Sequence, residues 1–180
     1  MAVTQVLRPS PYKASVNVSS THDSSKTTTF PLALSRTEES TLEDVVKETS
    51  QLASSGRLTQ LLDEHEGAIY FKNLGLKTAE EFSQFAHAFG WTAHEDIGNP
   101  VRRTIHAKNV ATANEGPNTQ PVYPHNEFGL SPHYPSYVLF YCASAPETGE
   151  FLSVTICMVH ADIVKVERRR STTRFSSIVD

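Results

Sequence analysis

The residues best suited to chemistry in this sequence are His125 and Glu127, which are separated by the single residue Asn126. In an extended strand, successive side chains alternate between faces, so these two side chains point the same way and can contact one metal ion. An imidazole and a carboxylate, with a third ligand from elsewhere, form the facial triad that leaves coordination positions open on non-heme Fe(II). The pair predicts part of an iron site, with Asn126 on the opposite face.

The His-x-acid pattern is weak on its own, because 8 His and 20 Asp and Glu residues in 180 positions give about one match by chance. Three matches are present. The match at His94 is typical of a solvated loop, and the match at His160 lies in an irregular C-terminal segment. The match at His125 lies between turn-forming residues and the apolar run 137–142, which predicts a strand. Sequence context therefore favours His125 and Glu127.

Residues from about Phe30 to Gly149 resemble the TauD/TfdA family of Fe(II)/2-oxoglutarate dioxygenases, particularly the clavaminate synthase-like branch that uses His-x-Glu. The stretches that match in order are GAIYFKNL at 67–74, TAEEF at 78–82, TANEGP at 112–117, HNE at 125–127 and APETG at 145–149. The resemblance implies oxidation of a small molecule with Fe(II) as cofactor and 2-oxoglutarate as co-substrate. It also implies that His125 and Glu127 are metal ligands and that Asn114 and Glu115 lie near the pocket mouth.

The N-terminal third of the chain predicts a leader followed by helices. Residues 1–29 are rich in Ser and Thr and lack periodicity, so we expect a flexible leader. Ser40 and Glu43 predict a capping box for a helix that Gly56 ends. Thr78 and Glu81 predict a second capping box, and the helix after it carries a row of aromatic residues that we assign to the core, namely Phe82, Phe85 and Phe89.

After Trp91 the sequence consists of short extended pieces separated by Pro, Gly and Asn, a pattern typical of a β-sandwich or jelly roll. Residues 103–106 alternate and predict one strand. The run 137–142 predicts a strand covered on both faces, with Cys142 as a buried thiol. We therefore expect an α+β fold in which N-terminal helices pack on a partial double-stranded β-helix, or jelly-roll, core. The dioxygenase-like domain is expected to span residues 30–149.

Residues 150–180 form a divergent tail. The family pattern calls for a second Gly and then a Thr after Gly149, and neither follows at the expected spacing. The distal His and the Arg that the resemblance implies would lie further downstream. A mis-spliced transcript is one explanation, because codons for residues 149–151 can contain a splice donor. We expect a truncated product that is weakly active or inactive by itself, with a non-catalytic fragment or binding protein as the alternative.

Composition excludes several classes of partner. A net charge of −4 without a basic cluster along most of the chain argues against nucleic acid. No apolar run approaches the roughly 20 residues of a membrane span, and the two cysteines do not make a disulfide framework. We expect a small-molecule substrate and a cytoplasmic location, with a mitochondrial location as the alternative because no acidic residue precedes Asp23. The sequence leaves open whether the chain forms a homo-oligomer.

The candidate residues can also be compared with the patterns of other metal sites. A zinc deaminase needs Pro-Cys-x-x-Cys downstream of its His-x-Glu, which Cys142 and Cys157 do not provide. A cupin-like site would need further histidines grouped on adjacent strands. His133 follows Pro132 and is favoured as a turn residue rather than a ligand. Arg103 is either a cation on the substrate side or, as we favour, a member of a surface salt bridge.

Overall fold

A computed structural model describes residues 5–21, 23–94, 103–113, 115 and 135–143 of the chain, together with the backbone of residues 162–167. The helices in these ranges are α1 (Leu42–Ser54), α2 (Arg57–Glu64) and α3 (Ala79–His87). The strands are β1 (Leu7–Pro9), β2 (Val16–Ser19), β3 (Thr27–Phe30), β4 (Leu32–Arg36), β5 (Ala68–Lys72), β6 (Ile105–Ala107), β7 (Val110–Ala111), β8 (Tyr137–Cys142) and β9 (Asp162–Glu167).

The main sheet has five strands in the order β1-β4-β5-β9-β8. Strands β4, β5, β9 and β8 are mutually parallel neighbours, whereas β1 is antiparallel to β4. Parallel neighbours need a long crossover connection, and α1 and α2 lie in the connection from β4 to β5. Two small antiparallel ladders, β2 with β3 and β6 with β7, lie outside this sheet.

The hydrophobic core forms between the helices and one face of the sheet. Because side chains alternate along a strand, Ile69 and Phe71 of β5 share a face, and both belong to the core cluster. The ring of Phe71 contacts the rings of Phe85 and Phe89 edge-on, with centroid distances of 5.2 and 6.0 Å. The core also contains residues from α1 and α2, namely Val45, Leu58 and Leu62. The aromatic row expected in the core is therefore confirmed.

The start of α3 is formed as its sequence predicts. The Thr78 hydroxyl accepts a hydrogen bond from the Glu81 amide at 3.2 Å, and the Glu81 carboxylate accepts one from the Thr78 amide at 3.3 Å. These two bonds satisfy amide groups that the first turn of a helix leaves unpaired. The helix is followed by Gly90, whose φ of +71° few other residues adopt readily.

The capping box of α1 lies one residue later than predicted. Thr41 and Asp44 form it, with the Thr41 amide donating to the Asp44 carboxylate at 2.8 Å. The predicted cap Ser40 is instead part of the preceding turn, where its hydroxyl donates to the Thr37 carbonyl at 2.7 Å. The helix ends before Gly56, as expected.

The segment predicted as a flexible leader contains three strands, β1 to β3. The amides of Val6 and Leu7 both donate to the carboxylate of Glu48 on α1, the second at 3.1 Å. The ring of Tyr12 lies 4.4 Å from the ring of Tyr70. Tyr70 is buried on the face of β5 opposite Phe71. The prediction failed because these strands are fixed by partners far along the chain, which a local lack of periodicity does not reveal.

The fold class is α+β, as predicted, since helices and strands both contribute to the core. The described strands form a mixed sheet and two ladders, so the jelly-roll core stays a prediction, as do the domain boundaries at residues 30 and 149. The tail contributes β9, which lies between β5 and β8 in the main sheet. Among the helices of the described ranges, none combines the length and the apolar character needed to cross a bilayer.

Thr49 on α1 provides a test of the core. Its side chain is fully buried, and its hydroxyl has no hydrogen-bond partner among the described residues. A buried hydroxyl without a partner costs free energy, so Thr49→Val should raise the free energy of unfolding by about 1 kcal/mol. Urea denaturation measures this change. Thr49→Ser is the matched control, because it keeps the hydroxyl and loses a buried methyl group, and it should lower stability. A less stable Thr49→Val variant would contradict the assignment.

Candidate functional site

The predicted metal ligands His125 and Glu127 lie outside the described residues, as do Asn114, His133, Cys157 and His160. We call residues 116–134, which carry these predicted ligands, the metal-ligand segment; the structure describes Glu115 before it and the chain from Pro135 after it. His94 lies exposed in a loop beyond α3, as its sequence context predicts. Within the described ranges, no group of three or more His, Cys, Asp or Glu side chains is placed to hold a metal ion.

The β6–β7 hairpin leads into the metal-ligand segment. Its ladder pairs Ile105 with Ala111 and Ala107 with Val110, with an irregularity between the two pairs. Asn109 adopts a φ of +55° in the turn, which asparagine tolerates better than most residues. Val110 packs against the hydrophobic core, so the hairpin touches the body of the protein through its second strand.

The tip of this hairpin is bound to α3. The Ser83 hydroxyl donates to the Lys108 carbonyl at 2.7 Å. The side-chain nitrogen Nδ2 of Asn109 lies 3.1 Å from His87 Nε2. His87 Nδ1 lies 2.6 Å from the Ser83 carbonyl oxygen. Because a carbonyl can only accept, Nδ1 carries the proton and Nε2 accepts from Asn109. This contact is not visible in the sequence, since no local pattern links residue 83 with residue 108.

At the base of the hairpin, hydrogen bonds join the residues before β6 to the residues after β7. Arg103 Nη1 donates to the carbonyl oxygens of Ala113 and Thr112 at 3.1 and 3.4 Å. In return, the Glu115 carboxylate accepts from the Thr104 amide. The Thr112 amide also donates to the Thr104 carbonyl at 3.0 Å. We call this set of contacts the hairpin brace. Arg103 therefore differs from its expected role, because among the described residues it binds backbone carbonyls rather than an acidic side chain.

Hydrogen bonding lowers the pKa of Glu115 below its ordinary value of 4.5. The largest cause is the bond from the Thr104 amide, and the hydroxyl of the same residue adds to it. A donor aimed at a carboxylate favours the ionised form. Burial opposes this shift without cancelling it. Glu115 is therefore an anion at neutral pH, and its charge strengthens the bond that closes the hairpin.

Strand β8 begins shortly after the metal-ligand segment and is held by aromatic stacking. The rings of Tyr137 and Trp91 lie 3.7 Å apart and within 8° of parallel. The ring of Tyr141 stacks on Phe82 at 5.0 Å, and its hydroxyl donates to the Leu76 carbonyl at 3.1 Å. The strand is half-buried along its length instead of covered on both faces, and Cys142 is likewise half-buried. Among the described strands, β8 is the last in the order of the main sheet.

The arrangement brackets the metal-ligand segment between two fixed points. The hairpin brace fixes the chain up to Glu115, and the stack on Trp91 fixes it from Tyr137. Both points are connected to α3, through Ser83 in one case and through Phe82 in the other.

The sequence of the chain is similar to those of known proteins. The sequence model of the family described as taurine catabolism dioxygenase TauD, TfdA family matches residues 28–151. A clavaminate synthase-like protein of Arabidopsis thaliana is 34% identical over 92 residues, which cover 51% of this chain and 28% of that protein. The matched region thus spans less than a third of the length of this relative.

The protonation of Glu115 should control the hairpin base. A carboxylate with a lowered folded-state pKa stabilises fully above its unfolded value, here 4.5, and the stabilisation is lost as pH falls through the folded value. The amide proton shift of Thr104 in an NMR titration should therefore move with a midpoint below pH 4.5. Glu115→Gln should remove this titration. A midpoint above the ordinary value would show that the bond from Thr104 does not form.

Proposed function

Because this chain belongs to the TauD/TfdA dioxygenase family, we propose that it forms part of an Fe(II)- and 2-oxoglutarate-dependent dioxygenase that oxidises a small molecule. His125 and Glu127 are the proposed metal ligands. The observation that carries the proposal is the family match over residues 28–151, which includes this His-x-Glu pair. The similarity to a clavaminate synthase-like protein supports the same class.

The donor set of His125 and Glu127 fits the proposed metal. Imidazole and carboxylate are the ligand types of non-heme Fe(II) sites that keep positions open for co-substrate and oxygen. When bound, the iron and 2-oxoglutarate would supply the oxidation of an unactivated C–H bond. The protein's own residues would bind the metal, orient the substrate and exclude water.

The surrounding elements support this role through rigidity. Among the described residues, Phe85 of α3 and Phe89, which follows the helix, are fully buried in the core. The bonds from α3 to the hairpin tip and the stacks from α3 and Trp91 to β8 connect this core to both flanks of the metal-ligand segment. A site that must hold ligands within a fraction of an ångström needs such support.

We propose His125 and Glu127 as two ligands of the site and expect Fe(II) binding to be weak wherever they are its only protein ligands. Two protein ligands fix fewer coordination positions than the three of a facial triad. The segment most similar to the Arabidopsis protein corresponds to 28% of that protein's length. Oxidation of a small molecule by the complete enzyme is therefore a proposal.

Anaerobic titration with Fe(II), with and without 2-oxoglutarate, tests the ligand assignment. His125→Ala and Glu127→Ala should each raise the dissociation constant for Fe(II) by at least about tenfold, because removing a direct ligand should cost no less than removing its outer-shell support. Binding can be followed through the fluorescence of Trp91, the sole tryptophan of the sequence. The visible charge-transfer band that forms with 2-oxoglutarate gives a second readout.

The matched control for this titration is His94→Ala. His94 also belongs to a His-x-acid pattern, but it lies exposed in a loop, so its loss should leave Fe(II) binding unchanged. If Fe(II) affinity is the same in the wild type and in both ligand variants, the assignment of His125 and Glu127 is refuted. Absence of saturable binding to the wild-type chain would refute the proposal that this polypeptide holds the metal.

A further inference from the structure

Strand β2 is an exposed strand that forms one side of the β2–β3 ladder. Three of its four residues are exposed, and Val16 is 46% exposed. Among the described strands, β2 pairs with β3 alone. Residues 14–21 contain no charged side chain and no proline. Native proteins commonly protect an edge strand with charges, proline or a covering element, so this edge is open to pairing with another strand.

The ladder determines which backbone groups of β2 face its free edge. The Ser20 amide donates to the Lys26 carbonyl at 2.9 Å, so these two residues form a hydrogen-bonded pair. In an antiparallel ladder, such pairs alternate along the strand with pairs that exchange no hydrogen bonds. Asn17 and Ser19 are therefore in non-bonded pairs, and their N–H and C=O groups point away from β3. No other described residue bonds to these backbone groups.

The outer edge of β3 agrees with this assignment. Thr29 lies opposite Asn17 in the ladder, so its carbonyl group also points outward. This carbonyl accepts from outside the ladder, from His65 Nδ1 at 2.8 Å. Beyond the end of β2, the Thr21 amide donates to the Glu66 carboxylate at 3.1 Å. The edge of β3 and the end of β2 thus each have a partner, whereas the edge of β2 has none within the described ranges.

A second copy of the same strand matches these free groups. With a twofold axis beside Val18, Asn17 of one copy lies opposite Ser19 of the other in an antiparallel pair. Each of these residues offers one N–H and one C=O, so the pair forms about four hydrogen bonds. Identical edges also bring like residues close together, where like charges would repel each other. The edge of β2 carries no charge, so it is complementary to its own copy, as a twofold interface requires.

We propose that two copies of this chain associate through β2, which joins their β2–β3 ladders into one four-stranded sheet. An isolated two-stranded ladder is marginally stable, and further strands stabilise it. The pairing therefore stabilises the ladder as well as linking the copies. Because the strand is short, the dimer forms reversibly and depends on protein concentration. This inference is independent of the proposed function, since it involves no metal ligand.

Analytical ultracentrifugation of the full chain over a range of concentrations tests the pairing. Asn17→Pro removes an N–H group that points outward and keeps those that bond to β3, a position that proline tolerates in an edge strand. The twofold axis makes this loss count twice, so the dissociation constant of the dimer should rise by at least about tenfold. Asn17→Ala is the matched control, because it keeps the N–H group and should associate as the wild type does. Urea unfolding with the same midpoint in both variants shows that the fold is retained.

Exchanged charges test the register of the pair. Asn17 and Ser19 are exposed, so their side chains can be replaced without disturbing the core. A variant with Asn17→Lys and Ser19→Lys should be monomeric, as should one with Asn17→Glu and Ser19→Glu, because like charges lie opposite each other in the pair. When the two variants are mixed, opposite charges meet, and native mass spectrometry should detect the heterodimer.

The proposal is supported if the wild type dimerises, Asn17→Pro weakens the dimer, and the mixed variants associate. It is overturned if the wild type stays monomeric at every concentration. It is also overturned if Asn17→Pro dimerises as tightly as Asn17→Ala, since another surface would then hold the copies together. Slow hydrogen exchange of the Asn17 and Ser19 amides in a monomer would show that the edge is covered within one chain, which likewise contradicts the pairing.

Discussion

The fold depends on the burial of β5 on both of its faces. Residues Ala68 to Phe71 are all buried, and the strand is hydrogen-bonded to β4 on one side and to β9 on the other. A strand in this position can be stable only if apolar groups cover both faces. The helices cover the face that carries Phe71. Tyr12 from the N-terminal segment contacts Tyr70 on the other face, and Lys72 on that face donates to the Pro11 carbonyl at 3.0 Å. The N-terminal segment is therefore part of the core structure.

From Phe71 the packing continues to the elements around the metal-ligand segment. The ring of Phe89 contacts Phe71 and also Trp91, and Trp91 stacks on Tyr137 at the start of β8. Aromatic pairs add stabilisation beyond the area they bury and prefer particular geometries. The contacts between these rings therefore stabilise the fold and also fix where Tyr137 lies relative to Phe71. Two sets of contacts fix the location of β8 relative to β5. One is this row of rings, and the other is the pairing of β9 with both strands. The hairpin depends on the same helix through polar contacts, so α3 is the common support of both flanks.

Sequence reasoning succeeded where the determinants of structure are local. The capping box of Thr78 with Glu81 and the aromatic row of α3 lie within a few turns of one helix, so their spacing is visible in the sequence. The cap of α1 was displaced by one residue because Ser40 and Thr41 have interchangeable chemistry, and the choice was made by the turn at Thr37. The strands of the N-terminal segment were missed for the opposite reason. Their partners, such as Glu48 and Tyr70, lie about 40 to 60 residues away, and a stretch rich in Ser and Thr carries no periodic signal of distant pairing.

The same distinction explains what could be read of the candidate site. The period of two between His125 and Glu127 is a local pattern, so the pair could be predicted from the sequence, whereas the contacts that hold the preceding hairpin could not. An acidic side chain was the expected partner of Arg103, because an acidic residue is visible in the sequence and a backbone carbonyl partner is not. Its partners are instead the carbonyl groups of Thr112 and Ala113, and every residue has a carbonyl group. The identity of residues 112 and 113 therefore carries no information about this contact, while the identity of residue 103 carries all of it. The contacts of Arg103 depend on the backbone path of the hairpin, so they could be found only in the three-dimensional structure.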